Sequence, residues 1–284
     1  ASLVETQDGQ WYIAHLVGRP LPNKGRCILG RETALEKVFW SEDGWLRLSH
    51  GGYAPALTVE APDLPEHPYP ALPVRDDFDR DTLGYPYQTL RVPLTHQIMT
   101  LTERPGWLRL YGRDSLHSRY EQSLVARRQQ AFCYIAETKI DYTPENYHQT
   151  AGLICIYDTE CFFYLYLTRA EDGKKRLGIL KSDLGRISYP VGAGIEVPEG
   201  AYYLRAAVHY DQLRFCASPD GAAWEPIGPC FDYSILSDDY YIENGEYRFT
   251  GAFVGLCCQD CGIRDSHADF DYLDYREEDP GRLS

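Results

Sequence analysis

An all-β fold, an antiparallel sandwich or jelly roll, is what this sequence predicts, and three observations carry the expectation. Long runs of alternating apolar and polar residues are separated by Asp-Gly, Asn or Pro turns. No segment sustains the roughly 3.6-residue period of an amphipathic helix, so helical content should be very low. The composition, with 23 tyrosines, 24 glycines and 18 prolines among 284 residues, favours strands and turns. A chain of this length buries roughly 75% of its unfolded surface on folding and needs no disulfide staples.

The elements follow from the N-terminus. "ASLVETQDGQWYIAHL" holds two strand-like runs around an Asp-Gly turn, the second over residues 11–16. Residues 36–49 read as a hairpin closed by "SEDG". In "APDLPEHPYPALPV" five prolines stand two or three residues apart, which favours extended polyproline geometry and removes sheet donors. A linker or surface-hugging strap is expected there, over residues 59–75, dividing 1–58 from 76–284. Beyond it, "HQIMTLTERPGWLRLYG" is a hairpin around Pro105-Gly106, and strands are expected in "SLVARRQQAFCYIAETKIDY", "QTAGLICIYDTECFFYLYLTR", "KKRLGILKSD", "YYLRAAVHYDQLRFCASPDG", "FTGAFVGLCCQD" and "ADFDYLDYR". "DGWLRL" and "PGWLRL" share five residues and predict two hairpins of the same chemistry, while "SPDGAAW" reads as an ordinary hairpin turn.

Alternation in "CFFYLYL" puts Phe163, Leu165 and Leu167 on one face and Phe162, Tyr164 and Tyr166 on the other. Both faces are then covered, as in sandwich packing. The second aromatic run, "DDYYIENGEYRF" (Asp238 to Phe249), reads as an exposed polar loop that could stack on sugar rings. The acidic pairs Asp76–Asp77, Asp238–Asp239 and Glu277–Glu278 read as solvated turns.

A net charge of −14 argues against nucleic-acid and anionic-membrane partners, which need a positive surface. No apolar run approaches the roughly 20 residues that span a bilayer. Nine cysteines without a disulfide framework read as reduced thiols of a cytoplasmic protein. Cys257, Cys258 and Cys261 cluster in "CCQDC", but no second Cys/His pair stands at zinc-site spacing, so free thiols, buried or half-buried, are expected and no metal. No cofactor is called for, and no residue pattern indicates calcium. G-x-S-x-G, H-E-x-x-H and phosphate-cradling glycine loops are absent. Glycosidase carboxylates pair in space rather than in sequence, so spacing alone does not find them.

Several long motifs resemble one family. "ASLVETQDGQWYIAHLVGRPL", "CILGRETALEKVFW" and "DGWLRL" resemble the closing part of the five-bladed catalytic propeller of glycoside hydrolase family 43 β-xylosidases. "SLHSRYEQSLVARRQQAF", "FTGAFVGLCCQD" and "ADFDYLDY" resemble the concanavalin A-like β-sandwich that follows it. The resemblance runs from Ala1 to Tyr275 and implies a sandwich preceded by the closing strands of a β-propeller. It also implies an inverting exo-enzyme that removes xylose from xylo-oligosaccharides, often with α-L-arabinofuranosidase activity. Inversion needs a base and an acid carboxylate roughly 6.5–9.5 Å apart. In the family these carboxylates, and a third that tunes the acid, lie on earlier blades, and an active-site histidine directly precedes "ASLVET". The chain therefore reads as a cut through a larger protein, with no catalytic carboxylate of its own.

Two site residues carry over by position. Arg31, in "LGRET", matches an arginine that reaches into the xylose subsite, where a guanidinium would hydrogen-bond sugar hydroxyls and keep the base carboxylate ionised. Phe249, in "RFTGAF", matches an aromatic that the sandwich sends to the active-site rim, with Phe253 as the alternative. Glu32 carries over no role, and a local ion pair with Arg31 or a nearby lysine is the plain reading. The partners expected are a xylo-oligosaccharide substrate, the remainder of the propeller and further copies of the chain in a homo-oligomer, with no nucleic acid and no membrane. Two other readings stay open: a stand-alone carbohydrate-binding module, and a structural or oligomerisation domain. Residues 1–50 disfavour both, because too few strands are present to close a propeller and Trp11, Ile13, Phe39 and Trp45 need partners.

Overall fold

The computed structural model describes residues 1–278, which form two compact units. The first comprises residues 1–19 and 30–71. Its four strands, β1 (Ser2–Glu5), β2 (Trp11–Val17), β3 (Glu32–Trp40) and β4 (Leu46–Leu48), make an antiparallel sheet in the order β1-β2-β3-β4. Val17 pairs with Glu32 and Trp11 with Val38, so the β2–β3 register is set over seven residues. The Asp-Gly and "SEDG" turns close the flanking hairpins as expected, with Ser41 N donating to Trp45 O at 2.9 Å. Glu36 of β3 is 2% exposed, and one carboxylate oxygen accepts from Ala56 N at 2.5 Å, tying the chain after β4 to the sheet.

The second unit comprises residues 20–29 and 72 onward. It opens with β5 (Arg75–Asp76), β6 (Tyr87–Gln88), β7 (Met99–Thr100), β8 (Leu108–Tyr111), β9 (Ser123–Arg128) and β10 (Cys133–Asp141). It continues through β11 (Gln149–Ile156), β12 (Phe162–Arg169), β13 (Lys175–Asp183), β14 (Arg186–Ser188), β15 (Ile195–Glu196), β16 (Tyr202–His209), β17 (Gln212–Ser218) and β18 (Glu225–Asp232). A 3-10 turn (Tyr233–Ile235), one helix α1 (Asp238–Glu243), β19 (Phe253–Asp260) and β20 (His267–Glu277) complete it.

These strands form two antiparallel sheets. One runs β18-β17-β16-β10-β20-β8-β7, with β5 on β20; the other runs β14-β13-β12-β11-β19-β9-β6, with β15 on β13. Consecutive strands such as β9 and β10 lie in different sheets, the mark of a jelly-roll sandwich. The inner faces meet in one apolar core that takes Tyr134, Leu204 and Phe270 from the first sheet and Leu153, Leu165 and Leu256 from the second. Each such side chain contributes about 1.5–3 kcal/mol by leaving water.

β12 shows how alternation sorts residues. Phe163, Leu165 and Leu167 join that inner core, while Phe162 and Tyr164 join a second apolar cluster on the outer face, with Tyr166 packed against it. Leu116, Leu124 and Ile154 belong to the outer cluster, and Leu90 packs on it. Both faces of β12 are covered, as its sequence predicts.

Residues 20–29, the Pro/Gly-rich loop between β2 and β3, pack with the sandwich. Leu21, Ile28 and Leu29 are buried in its core. Arg26 forms a bidentate pair with Glu243, at 3.0 and 2.5 Å, and Lys24 pairs with Asp232 at 2.8 Å.

Two expectations are corrected. "DDYYIENGEYRF" is not loop throughout: residues 238–243 are helical and Tyr241 is fully buried, while Ile242 to Tyr247 and Phe249 are exposed. Asp238 is likewise no solvated turn residue but is fully buried, because Tyr157 Oη and Thr250 N donate to its carboxylate in place of water.

Candidate functional site

Arg31 stands between Gly30 and the first residue of β3. Gly30 adopts φ 69°, a left-handed turn that glycine enters without steric cost, and the chain swings through it into the strand. Glu32 pairs with Arg19 rather than with Arg31 or a lysine: Arg19 Nε and NH2 donate to its two oxygens at 2.8 and 2.9 Å. Antiparallel pairing of Val17 with Glu32 brings the residues just beyond β2 alongside the start of β3, and Arg19 is the cation there. Arg31 follows the opposite parity to Glu32 along the strand.

Phe249 lies in the second unit, between α1 and β19, and is 69% exposed. It borders a cleft of about 350 Å³ whose apolar side includes Leu90, Leu124, Ile156 and Phe253, and whose polar side includes Arg91, Asp158 and Arg248. Phe253, the alternative rim residue, is half-buried against the outer-face cluster with the Arg128 guanidinium 5.5 Å from its ring. Of the two aromatics, Phe249 is the one that presents its ring. Arg31 and Phe249 belong to different units, and each site is defined by its own surroundings.

An exposed phenyl ring on a loop keeps a fixed position only if the backbone around it is held. Before Phe249, Arg248 Nε stands 3.4 Å from Asp158 Oδ2, and its NH2 reaches Glu160 at 3.0 Å and Glu246 at 2.7 Å. The same guanidinium lies 4.9 Å from the centre of the Tyr241 ring. Tyr241 Oη donates to Asp158 Oδ1 at 2.7 Å, and Asp158 Oδ1 also accepts from Glu160 N and Cys161 N at 2.8 and 3.0 Å. After Phe249, Thr250 N donates to Asp238 Oδ1 at 3.0 Å and lies 3.3 Å from Tyr157 Oη, which itself donates to Asp238. Two residues on, Ala252 N donates to Ile28 O at 2.9 Å and Ala252 O accepts from Gln129 N at 3.0 Å.

Tyr157, Asp158, Asp238 and Tyr241, which hold this loop, are buried, and Arg248 is half-buried and ion-paired. Burial, reinforced by the neighbouring Cys161 and Asp158, raises the Tyr241 hydroxyl far above its ordinary pKa. Burial and then Asp238 do the same for Tyr157, so both act as permanent donors at any physiological pH. Burial also pushes the Cys161 thiol up to about 11, which makes it a packing group rather than a nucleophile.

The sequence offered one overlooked signal. Ser237 followed by Asp238 and Asp239, with Asn244-Gly245 further on, is the start and stop pattern of a helix, and Ser237 Oγ accepts from Tyr240 N at 3.3 Å as an N-cap. Among the described residues no group of three or more His, Cys, Asp or Glu side chains is placed to hold a metal ion. Of the "CCQDC" thiols, Cys257 and Cys258 are buried in β19, whereas Cys261 is exposed beyond its end.

Comparisons with known proteins bear on family and fold. Residues 75–276 match the family described as the β-xylosidase C-terminal concanavalin A-like domain, and residues 1–46 match glycosyl hydrolases family 43. The chain is 39% identical to a β-xylosidase of Bacillus subtilis (strain 168), covering 98% of this chain and 54% of that protein. It is 39% identical to a xylosidase/arabinosidase 43B of Humicola insolens, covering 96% of this chain and 51% of that one. The solved xylan β-1,4-xylosidase from Bacillus halodurans C-125 superposes with a TM-score of 0.93 at 47% identity, over 97% of this chain and 52% of that structure. The chain thus spans about half the length of the curated relatives it matches.

Proposed function

The chain belongs to the family of β-xylosidase C-terminal concanavalin A-like domains, and on that premise we propose that it is the C-terminal portion of a glycoside hydrolase that releases xylose or arabinofuranose from xylo-oligosaccharides with inversion. The division of labour proposed is simple. Carboxylates upstream of residue 1 perform the chemistry, with one as base on water and one as acid on the leaving oxygen. Arg31, at the mouth of β3, hydrogen-bonds the sugar and keeps the base carboxylate ionised. Phe249 offers an apolar ring face at the rim, and the sandwich holds it there. Residues 59–75 link the catalytic part to the sandwich.

One observation carries this reading: Phe249 is a large apolar side chain left 69% exposed on a loop that the buried Asp158 and Asp238 carboxylates hold through Arg248 and Thr250. Buried support of this kind under an exposed aromatic fits a ligand contact better than a packing residue. The nine free thiols support a reducing compartment, and homo-oligomeric assembly belongs to the same proposal.

The test uses the protein that carries this chain together with its upstream catalytic part, assayed on xylobiose. Arg31→Gln should lower kcat/KM by about 10–100-fold, the value of a charge-assisted hydrogen bond. Phe249→Ala should raise KM with a smaller change in kcat, because a rim contact is made in ground and transition states alike. Unchanged kinetics in both variants would refute the assignment of the site.

A further inference from the structure

The geometry assigns a positioning role to Tyr157 and Tyr241: with Asp238, Asp158 and Arg248 they form a two-sided clamp that fixes the backbone on either side of Phe249 and so sets the place of its ring. The inference rests on the reading of Phe249 as a substrate contact. The upstream jaw is the chain Tyr241 Oη to Asp158 to Arg248, at 2.7 and 3.4 Å. The downstream jaw is the Asp238 carboxylate, which accepts from Tyr157 Oη and from Thr250 N. The two tyrosine rings lie 5.3 Å apart at 30°, so the jaws share one buried aromatic base. All the clamp side chains come from the turn between β11 and β12, from α1 or from the loop itself.

The chemistry suits a fixed support. Both phenols stay protonated, both donate to buried carboxylates, and the guanidinium is paired with several acidic groups, so the donors of the clamp keep their protons where the protein works. Ordering the loop in advance spares the substrate that entropic cost on binding, which is how a remote hydroxyl can act on affinity. A stacking contact made equally in ground and transition states appears in KM rather than in kcat.

The experiment removes single oxygen atoms. Tyr241→Phe and Tyr157→Phe are made in the full protein, alone and combined with Phe249→Ala, and assayed on xylobiose. Each tyrosine variant should raise KM about 3–10-fold with a smaller change in kcat, and that increment should vanish in the Phe249→Ala background. Amide hydrogen exchange over residues 246–252 should accelerate in both tyrosine variants irrespective of activity. Unchanged exchange, or a KM effect that persists without the Phe249 ring, would overturn the clamp. A kinetically silent Phe249→Ala alongside accelerated exchange would instead refute the substrate contact and leave the clamp as a loop support.

Discussion

The same five residues, Gly-Trp-Leu-Arg-Leu, occur at 44–48 in the first unit and at 106–110 in the second. Both copies do the same thing locally. Gly44 and Gly106 turn with φ 78° and 76°, a conformation other residues enter at a cost, and each leads into a strand, β4 and β8. There the likeness ends. Trp45 is 67% exposed, Leu46 and Leu48 are only half-buried, and Arg47 pairs with Asp43 at 3.0 Å on an open surface. In the second copy Leu108 and Leu110 are fully buried, Trp107 lies under the Arg104 guanidinium at 3.7 Å, and Arg109 grips Asp269 with two hydrogen bonds of 2.7 and 2.9 Å. Local sequence decides turn and strand; the opposing surface decides what the residues are worth.

The leucines break that comparison most strongly. Leu110→Ala in residues 1–284 should cost about 2–5 kcal/mol, since the core can close the cavity only in part, while Leu48→Ala should cost less than about 1 kcal/mol. Urea unfolding of both variants checks this, and equal losses would show that burial does not separate the two hairpins.

The arginines come next. Arg109→Gln should cost about 2–3 kcal/mol, because it leaves Asp269 buried with Arg104 as its remaining arginine partner among the described residues. Arg47→Gln should not move the unfolding midpoint measurably. Burial alone would raise the Asp269 carboxyl, yet Arg109 and Arg104 outweigh it and hold it below its ordinary 3.8. A carboxyl depressed in the folded state stabilises fully above the unfolded value and loses that contribution as pH falls through the folded value. The parent chain should therefore lose stability below about pH 4 more steeply than Arg109→Gln does, measured by thermal unfolding across an acid pH series.

The contrast also explains what was legible in the sequence. Hairpins such as Phe162–Arg169 against Gln149–Ile156 could be read because alternation and turn residues are local signals. The two faces of β12 followed from the same rule. Two-residue strands such as Arg75–Asp76 show no period, and their pairing depends on β20, almost two hundred residues away. Residues 20–29 join the sandwich through Arg26–Glu243 and Lys24–Asp232, pairs separated by more than two hundred positions, so no local pattern announces them. Periodicity left Phe249 as one aromatic in a run read as exposed, and its support emerges only when residues 157, 241 and 248 meet in space. Asp238 was misread because an acidic pair in sequence says nothing of the donors that bury it.

On the function proposed above, residues 1–284 support a glycosidase whose catalytic carboxylates lie upstream. Incubating residues 1–284 alone with p-nitrophenyl β-D-xylopyranoside tests it most directly. No p-nitrophenol above the buffer rate is the predicted result, with turnover in the protein that also carries the upstream part. Sustained release by residues 1–284 alone would contradict it.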